Sequence, residues 1–337
     1  MKRTVLLIVL LLVVVGVAFV MSGKKKNDNN NFDDYEGNFA VKDIEQVARI
    51  VLQNGRKYTI ELTRTADGWI VNNSYKARMS SVDPLLDAIQ HVDIRYIPPK
   101  AAEETILWDI AAHGIQVDIY DRSGVNLKSY FVAGSNADES GTHILMNGSE
   151  QPFVVSIPSM DGSIRARFVL TLDDWRDRHF LNIDPDKIKT VDVEYHRQQS
   201  QSFRMEKSGS KYTVRPLYPE LRNYPDQYRK GTSEIFIRDL GNAACESFKN
   251  NYPFVDSIRR LQPFSTVRVS FKNDTSHLLL NIYPNGQPVH SEFTGPIHRL
   301  FIDVAPGDFL GAQYQVVKGV LRGYDFFFEG EDQQLVF

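Results

Sequence analysis

Cysteine is almost missing from this chain: Cys245 is the only one in 337 residues. That excludes an intramolecular disulfide and any metal site built on several thiolates. So few thiols fit an exported protein better than a cytosolic one. Net charge is nearly absent as well, at −3. There is no basic footprint, and nucleic acid is not an expected partner. Catalytic signatures are lacking throughout. The histidines never adopt a zinc spacing such as H-E-x-x-H, and no G-x-S-x-G elbow, phosphate-cradling glycine loop or dinucleotide fingerprint occurs. No metal, no cofactor and no catalytic residue are therefore expected. What remains, 42% hydrophobic and 24% charged residues, is the composition of a folded protein long enough for two domains.

Long hydrophobic runs are also scarce, and the one that stands out is at the N-terminus. Thr4 to Met21 is uncharged; as a helix it would reach about 27 Å, close to the hydrocarbon thickness of a bilayer. A removable signal peptide is the competing reading. The apolar stretch is long for one, and Val20-Met21-Ser22 is a poor cleavage site. The expectation is an uncleaved anchor over 1–23. Lys2 and Arg3 nearly balance Lys24, Lys25 and Lys26 across it, and the short basic start places the N-terminus inside. This predicts a single-pass inner-membrane protein whose folded body faces the periplasm. Residues 24–38, KKKNDNNNFDDYEGN, read as a flexible tether.

Beyond the tether the chain says one thing twice. Setting Phe39 against Ile183 brings Val47 onto Val191, Trp69 near Tyr212 and Val71 onto Val214. Each copy opens on an alternating strand: Val47, Arg49 and Val51 in one, Val191, Val193 and Tyr195 in the other. A hairpin follows, turning at Asp67-Gly68 or Ser208-Gly209. A helix comes next. SSVDPLLDAIQHVDI offers Ser81 or Asp83 as a cap, Pro84 in the first turn, and Leu85, Ile89 and Val92 on one face. Its counterpart, TSEIFIRDLGNAACESF, offers Ile235, Leu240 and Ala244. Four more strands and a closing helical stretch complete each copy, Leu172-x-x-Trp175 answering Leu321-x-x-Tyr324. The order β-β-α-β-β-β-β-α over 39–182 and again over 183–337 predicts an α+β fold: two tandem, duplicated antiparallel-sheet domains, each with helices, behind a transmembrane helix.

Three sets of residues stand out as candidates. The densest charged cluster, LDDWRDRHF from Leu172 to Phe180, has apolar residues at helical spacing, so its charges read as surface pairs. Cys245 reads as a small buried residue, and His143 and His298 as strand-start packing residues. The third set is an insertion without counterpart in the first copy, RPLYPELRNYPDQYRKGT. Its Arg215, Tyr218, Arg222, Tyr224, Tyr228 and Arg229 are of the types enriched at binding hot spots, and its prolines lower the cost of ordering the loop. These six are the candidate binding residues; the competing reading folds the tyrosines back onto the domain.

The hydrophobic start, the tether, FAVKDIEQVARIVLQNGRKYTIELTRTADGWIV, VDIY, HILMNG and LDDWRDRHFL together resemble the bacterial family known as domain of unknown function 4340. The similarity is clearest from Phe39 to Leu181 and fades in the second copy. It implies membrane anchoring and, as for some members of that family, a gene beside those of ABC-type transporter components linked to gliding motility. It implies no activity. Two classes of function follow: a non-catalytic anchored interaction or scaffold protein with an envelope or transporter partner, or an envelope hydrolase or carbohydrate-binding protein.

Overall fold

The computed structural model describes residues 37–55, 57–181, 184–221, 227–272, 277–285, 297–305, 307–329 and 335. The expected anchor, almost all of the tether, and Arg222 and Tyr224 of the insertion lie outside them. No helix among the described residues is long and apolar enough to cross a membrane. The chain divides into two compact units between Leu172 and Asp173, where the sequence placed its boundary after residue 182.

In the first unit β1 (Arg49–Asn54), β2 (Tyr58–Thr65), β3 (Gly68–Val71) and β4 (Tyr75–Lys76) precede α1 (Met79–His91). Then come β5 (Asp93–Tyr96), α2 (Lys100–His113), β6 (Ile115–Tyr120), β7 (Asn126–Ser135), β8 (Thr142–Met146) and β9 (Phe153–Ser156). A one-turn helix, α3 (Leu172–Trp175), straddles the division. The second unit runs β10 (Ile188–Tyr195), β11 (Phe203–Ser208), β12 (Lys211–Pro216), α4 (Thr232–Gly241), β13 (Ser247–Phe248) and α5 (Val255–Arg259). It continues through β14 (Ser265–Phe271), β15 (His277–Pro284), β16 (Arg299–Ala305) and β17 (Phe309–Gln313).

The sheet orders are β4-β3-β2-β1-β6-β7-β8-β9-β5 and β12-β11-β10-β14-β15-β16-β17-β13. Without β4 they are the same order, and the paired strands are antiparallel in both. This is an α+β architecture. Corresponding inward rows cross the first four strands: Val71, Leu62, Ile50 and Ile119 in one sheet, Val214, Met205, Val191 and Val269 in the other. All eight are buried. Trp69 and Tyr212 occupy equivalent places, the second residue of the third strand. Each ring lies under the cation opposite it, Arg64 at 5.2 Å and Lys207 at 5.5 Å.

Several sequence expectations are corrected here. Four strands in the first unit and three in the second, not two, precede the first helix, and an edge strand and a second helix separate that helix from the strands that follow. In β1 the inward set is Ile50 and Leu52, one residue out of phase with Arg49 and Val51. Arg49 lies on the outer face, its guanidinium 4.1 Å from the Tyr120 ring centroid and 3.6 Å from Glu61. Burying it with Val51 would have desolvated a charge. Helix α1 starts at Met79 without a side-chain cap and carries Pro84 inside it; Leu85 and Ile89 are buried as expected. In α4 the buried face is Phe236, Ile237 and Leu240, while Ile235 is exposed and Ala244 lies beyond the helix. Phe236 packs edge-on against Phe203 at 5.4 Å and Phe327 at 5.7 Å, which fixes that face.

Candidate interaction surface

The charged cluster after Leu172 is a clamp. Arg176 is buried and grips Asp308 with two nitrogens, at 3.2 and 2.5 Å, while its guanidinium stacks 3.8 Å from the Phe248 ring centroid. Asn250 donates to the same carboxylate at 2.8 Å and accepts the Phe309 N–H at 2.7 Å. Burial works against ionisation of Asp308, but the bonds from Arg176 and Asn250 and the guanidinium charge outweigh it. Its carboxyl therefore sits below the usual range. The next residues run beside the end of α4: Cys245 N–H donates to the Arg178 carbonyl at 2.8 Å, and Phe180 N–H to Ala243 at 3.2 Å. Cys245 is buried, and burial pushes its thiol up to about 11, the opposite of what a nucleophile needs. His143 is half-buried within β8, whereas His298 is exposed just before β16, so the two do not share a packing role.

The insertion is stitched down at both described ends. Arg215 is the fifth residue of β12 and exposed. Tyr218 donates its hydroxyl to Glu194 at 2.6 Å. Tyr228 donates its hydroxyl to Ser233 Oγ at 2.7 Å and sets its ring edge-on to Phe328 at 6.1 Å. The Arg229 N–H donates to Phe327 at 2.8 Å, and Glu329 N–H to Gln227 at 2.9 Å. Two of the candidate hydroxyls are thus spent within the unit. Of the four candidate side chains in the described residues, Arg215 is left fully at the surface with its head group uncommitted.

A second surface went unread in the sequence. Helix α2 buries only Ile106 and Ile110, against Ala133 of β7 with Phe131 and Leu145 beside it. At 100° per residue, position 108 lies on the far side of the helix from both. Trp108 is there, 73% exposed. Around it Glu104, Thr105, Asp109 and His113 line an open depression of about 360 Å³. Asp109 accepts the Gly134 N–H at 3.0 Å and lies 3.0 Å from His113 Nδ1. Burial raises its pKa, and these bonds with the nearby Arg165 more than reverse that, so the carboxyl is held below its ordinary value. Below it on the helix, Leu107, Ile110 and Ala111 face Phe131 and Leu145 across an apolar groove of about 320 Å³. The segment K-A-A-E-E-T-I-L-W-D-I-A-A-H carried a usable sign: its tryptophan is out of phase with the two isoleucines.

No protein-family model matches this chain, and no curated protein or solved structure matches it.

Proposed function

We propose that this chain is a membrane-anchored interaction protein of the bacterial envelope, an accessory of an ABC-type transporter or of gliding machinery. On this reading a helix over 1–23 holds it in the inner membrane and two tandem duplicates of one α+β unit face the periplasm. The uncharged run from Thr4 to Met21 supports the anchor, the common strand order supports the duplication, and the resemblance quoted above supports the compartment and the partner class. The observation that carries the interaction reading is Trp108. A tryptophan held 73% exposed on the outward side of a helix contributes little to its own fold, and Trp is the type most enriched at binding hot spots.

One observation favours a second reading, carbohydrate binding: the Trp108 ring stands beside the polar groups of Glu104, Asp109 and His113. Hydrolysis is less well served. A general acid needs a raised pKa, and the Asp109 carboxyl is held low. The test is capture of the full-length chain from membranes with its anchor intact, wild type beside Trp108→Ala. Loss of co-captured envelope proteins from the variant, with unchanged melting temperature, is expected. Unchanged capture removes Trp108 from the interface. Trp108-dependent binding of peptidoglycan or polysaccharide fragments instead selects the second reading.

A further inference from the structure

The two units differ most at one sheet edge. In the first, β3 runs into a reversal where Asn72 and Asn73 take φ of +49° and +52°. Strand β4 then returns alongside, Ile70 pairing with Lys76 and Val71 with Tyr75. The carbonyls of Trp69 and Val71 accept the N–H groups of Ala77 at 2.8 Å and Ser74 at 3.1 Å. In the second unit the insertion follows β12 instead, and among the described residues β12 is the terminal strand of its sheet.

Register decides which groups of β12 face outward. Leu217 N–H donates to the Ser202 carbonyl at 3.0 Å. The pairs Arg204–Arg215, Glu206–Thr213 and Ser208–Lys211 are therefore the hydrogen-bonded ones. The N–H and C=O groups of Tyr212 and Val214 point away from β11, as those of Trp69 and Val71 point away from β2. Among the described residues nothing bonds to them. Lys211, Thr213 and Arg215 expose their side chains on the outer face. Arg215 stands opposite Arg204, which is committed to Asp192 through two contacts of 2.7 Å. Glu206 stands opposite Thr213 and pairs with neither cation; no hydrogen bond or ion pair holds the head group of Lys211 or Arg215 among the described residues.

The geometry points to a strand-addition site on β12 for an extended, acidic segment of a partner protein. The segment lies on β12 as β4 lies on β3, bonds to the backbone of Tyr212 and Val214, and brings carboxylates beside Lys211 and Arg215. A second copy of β12 is disfavoured, because like charges facing each other across a ladder repel. This assignment goes beyond the Trp108 reading and uses the other unit.

The test uses the full chain in detergent micelles and three peptides: ten residues alternating Glu and Val, the same with Lys for Glu, and NFDDYEGN from residues 31–38. Anisotropy gives affinity, and amide hydrogen exchange gives the place. The Glu peptide should bind at least tenfold more tightly than the Lys peptide and slow exchange at Tyr212 and Val214. Lys211→Glu with Arg215→Glu should reverse that preference at unchanged melting temperature. Equal affinity for both charged peptides, or unaltered exchange at Tyr212 and Val214, overturns the site. Tighter binding of NFDDYEGN than of the Glu peptide assigns the edge to this chain's own tether and overturns the foreign partner. Should the charge reversal change nothing while Trp108→Ala still abolishes membrane capture, strand addition fails and the proposed function stands.

Discussion

Arg176 is a buried cation held by its partners. Its guanidinium is out of water, and the carboxylate, the ring and Asn250 around Asp308 compensate for that. Truncating one partner of such a pair leaves the other desolvated and uncompensated, at a cost of about 3 kcal/mol. Arg176→Ala should lower the urea midpoint of the second unit accordingly, and a change within experimental error would show the clamp to be dispensable. The pH dependence follows from Asp308. Its folded-state pKa is depressed, so its stabilisation is present above the unfolded value of about 3.9 and is lost as pH falls through the folded one. Wild-type stability should fall in that range, and Asp308→Asn should flatten the curve there. A curve unchanged by that substitution would place the acid sensitivity elsewhere.

At the scale of elements, α2 separates packing from exposure most cleanly. Ile110 is buried against the sheet and Trp108 is not. Ile110→Ala should cost about 2–3 kcal/mol, since it opens a cavity under the helix. Trp108→Ala should stay within about 0.5 kcal/mol, as surface changes do. Equal losses in chemical denaturation would mean that Trp108 is packed. The same helix shows where reading the sequence ran out. Strands with strict alternation were legible, as was the pairing of Val71 with Val214 and of Trp69 with Tyr212. Helix α2 was not, because a helix lying on a partly open sheet face needs only two buried residues and leaves almost no apolar stripe. The phase of β1 was misread for a related reason. Val47, Arg49 and Val51 alternate as well as Ile50 and Leu52 do, and the outward pull of the Arg49 charge decides between them. Of the candidate site, Arg215 was legible as an exposed cation. That β12, unlike β3, has no covering strand among the described residues was not legible, because strand order depends on contacts distant in sequence.

For the molecule as a whole, the shared strand order carries a further expectation. Leu62 and Met205 hold corresponding places in the two inward rows, so Leu62→Ala and Met205→Ala should each speed hydrogen exchange chiefly within its own sheet. Exchange that rises equally in both sheets for either variant would show that the units unfold as one.

The central claim, that the folded body works by binding a partner in the envelope, is tested most directly by a photo-crosslinking residue placed at position 108 in the full-length chain and irradiated in intact cells. A parallel protein with the label at Thr63, on the polar outer face of β2, serves as the control. A discrete adduct with one envelope protein is expected from position 108 and none from position 63. No adduct from position 108, or the same smear from both positions, would contradict it.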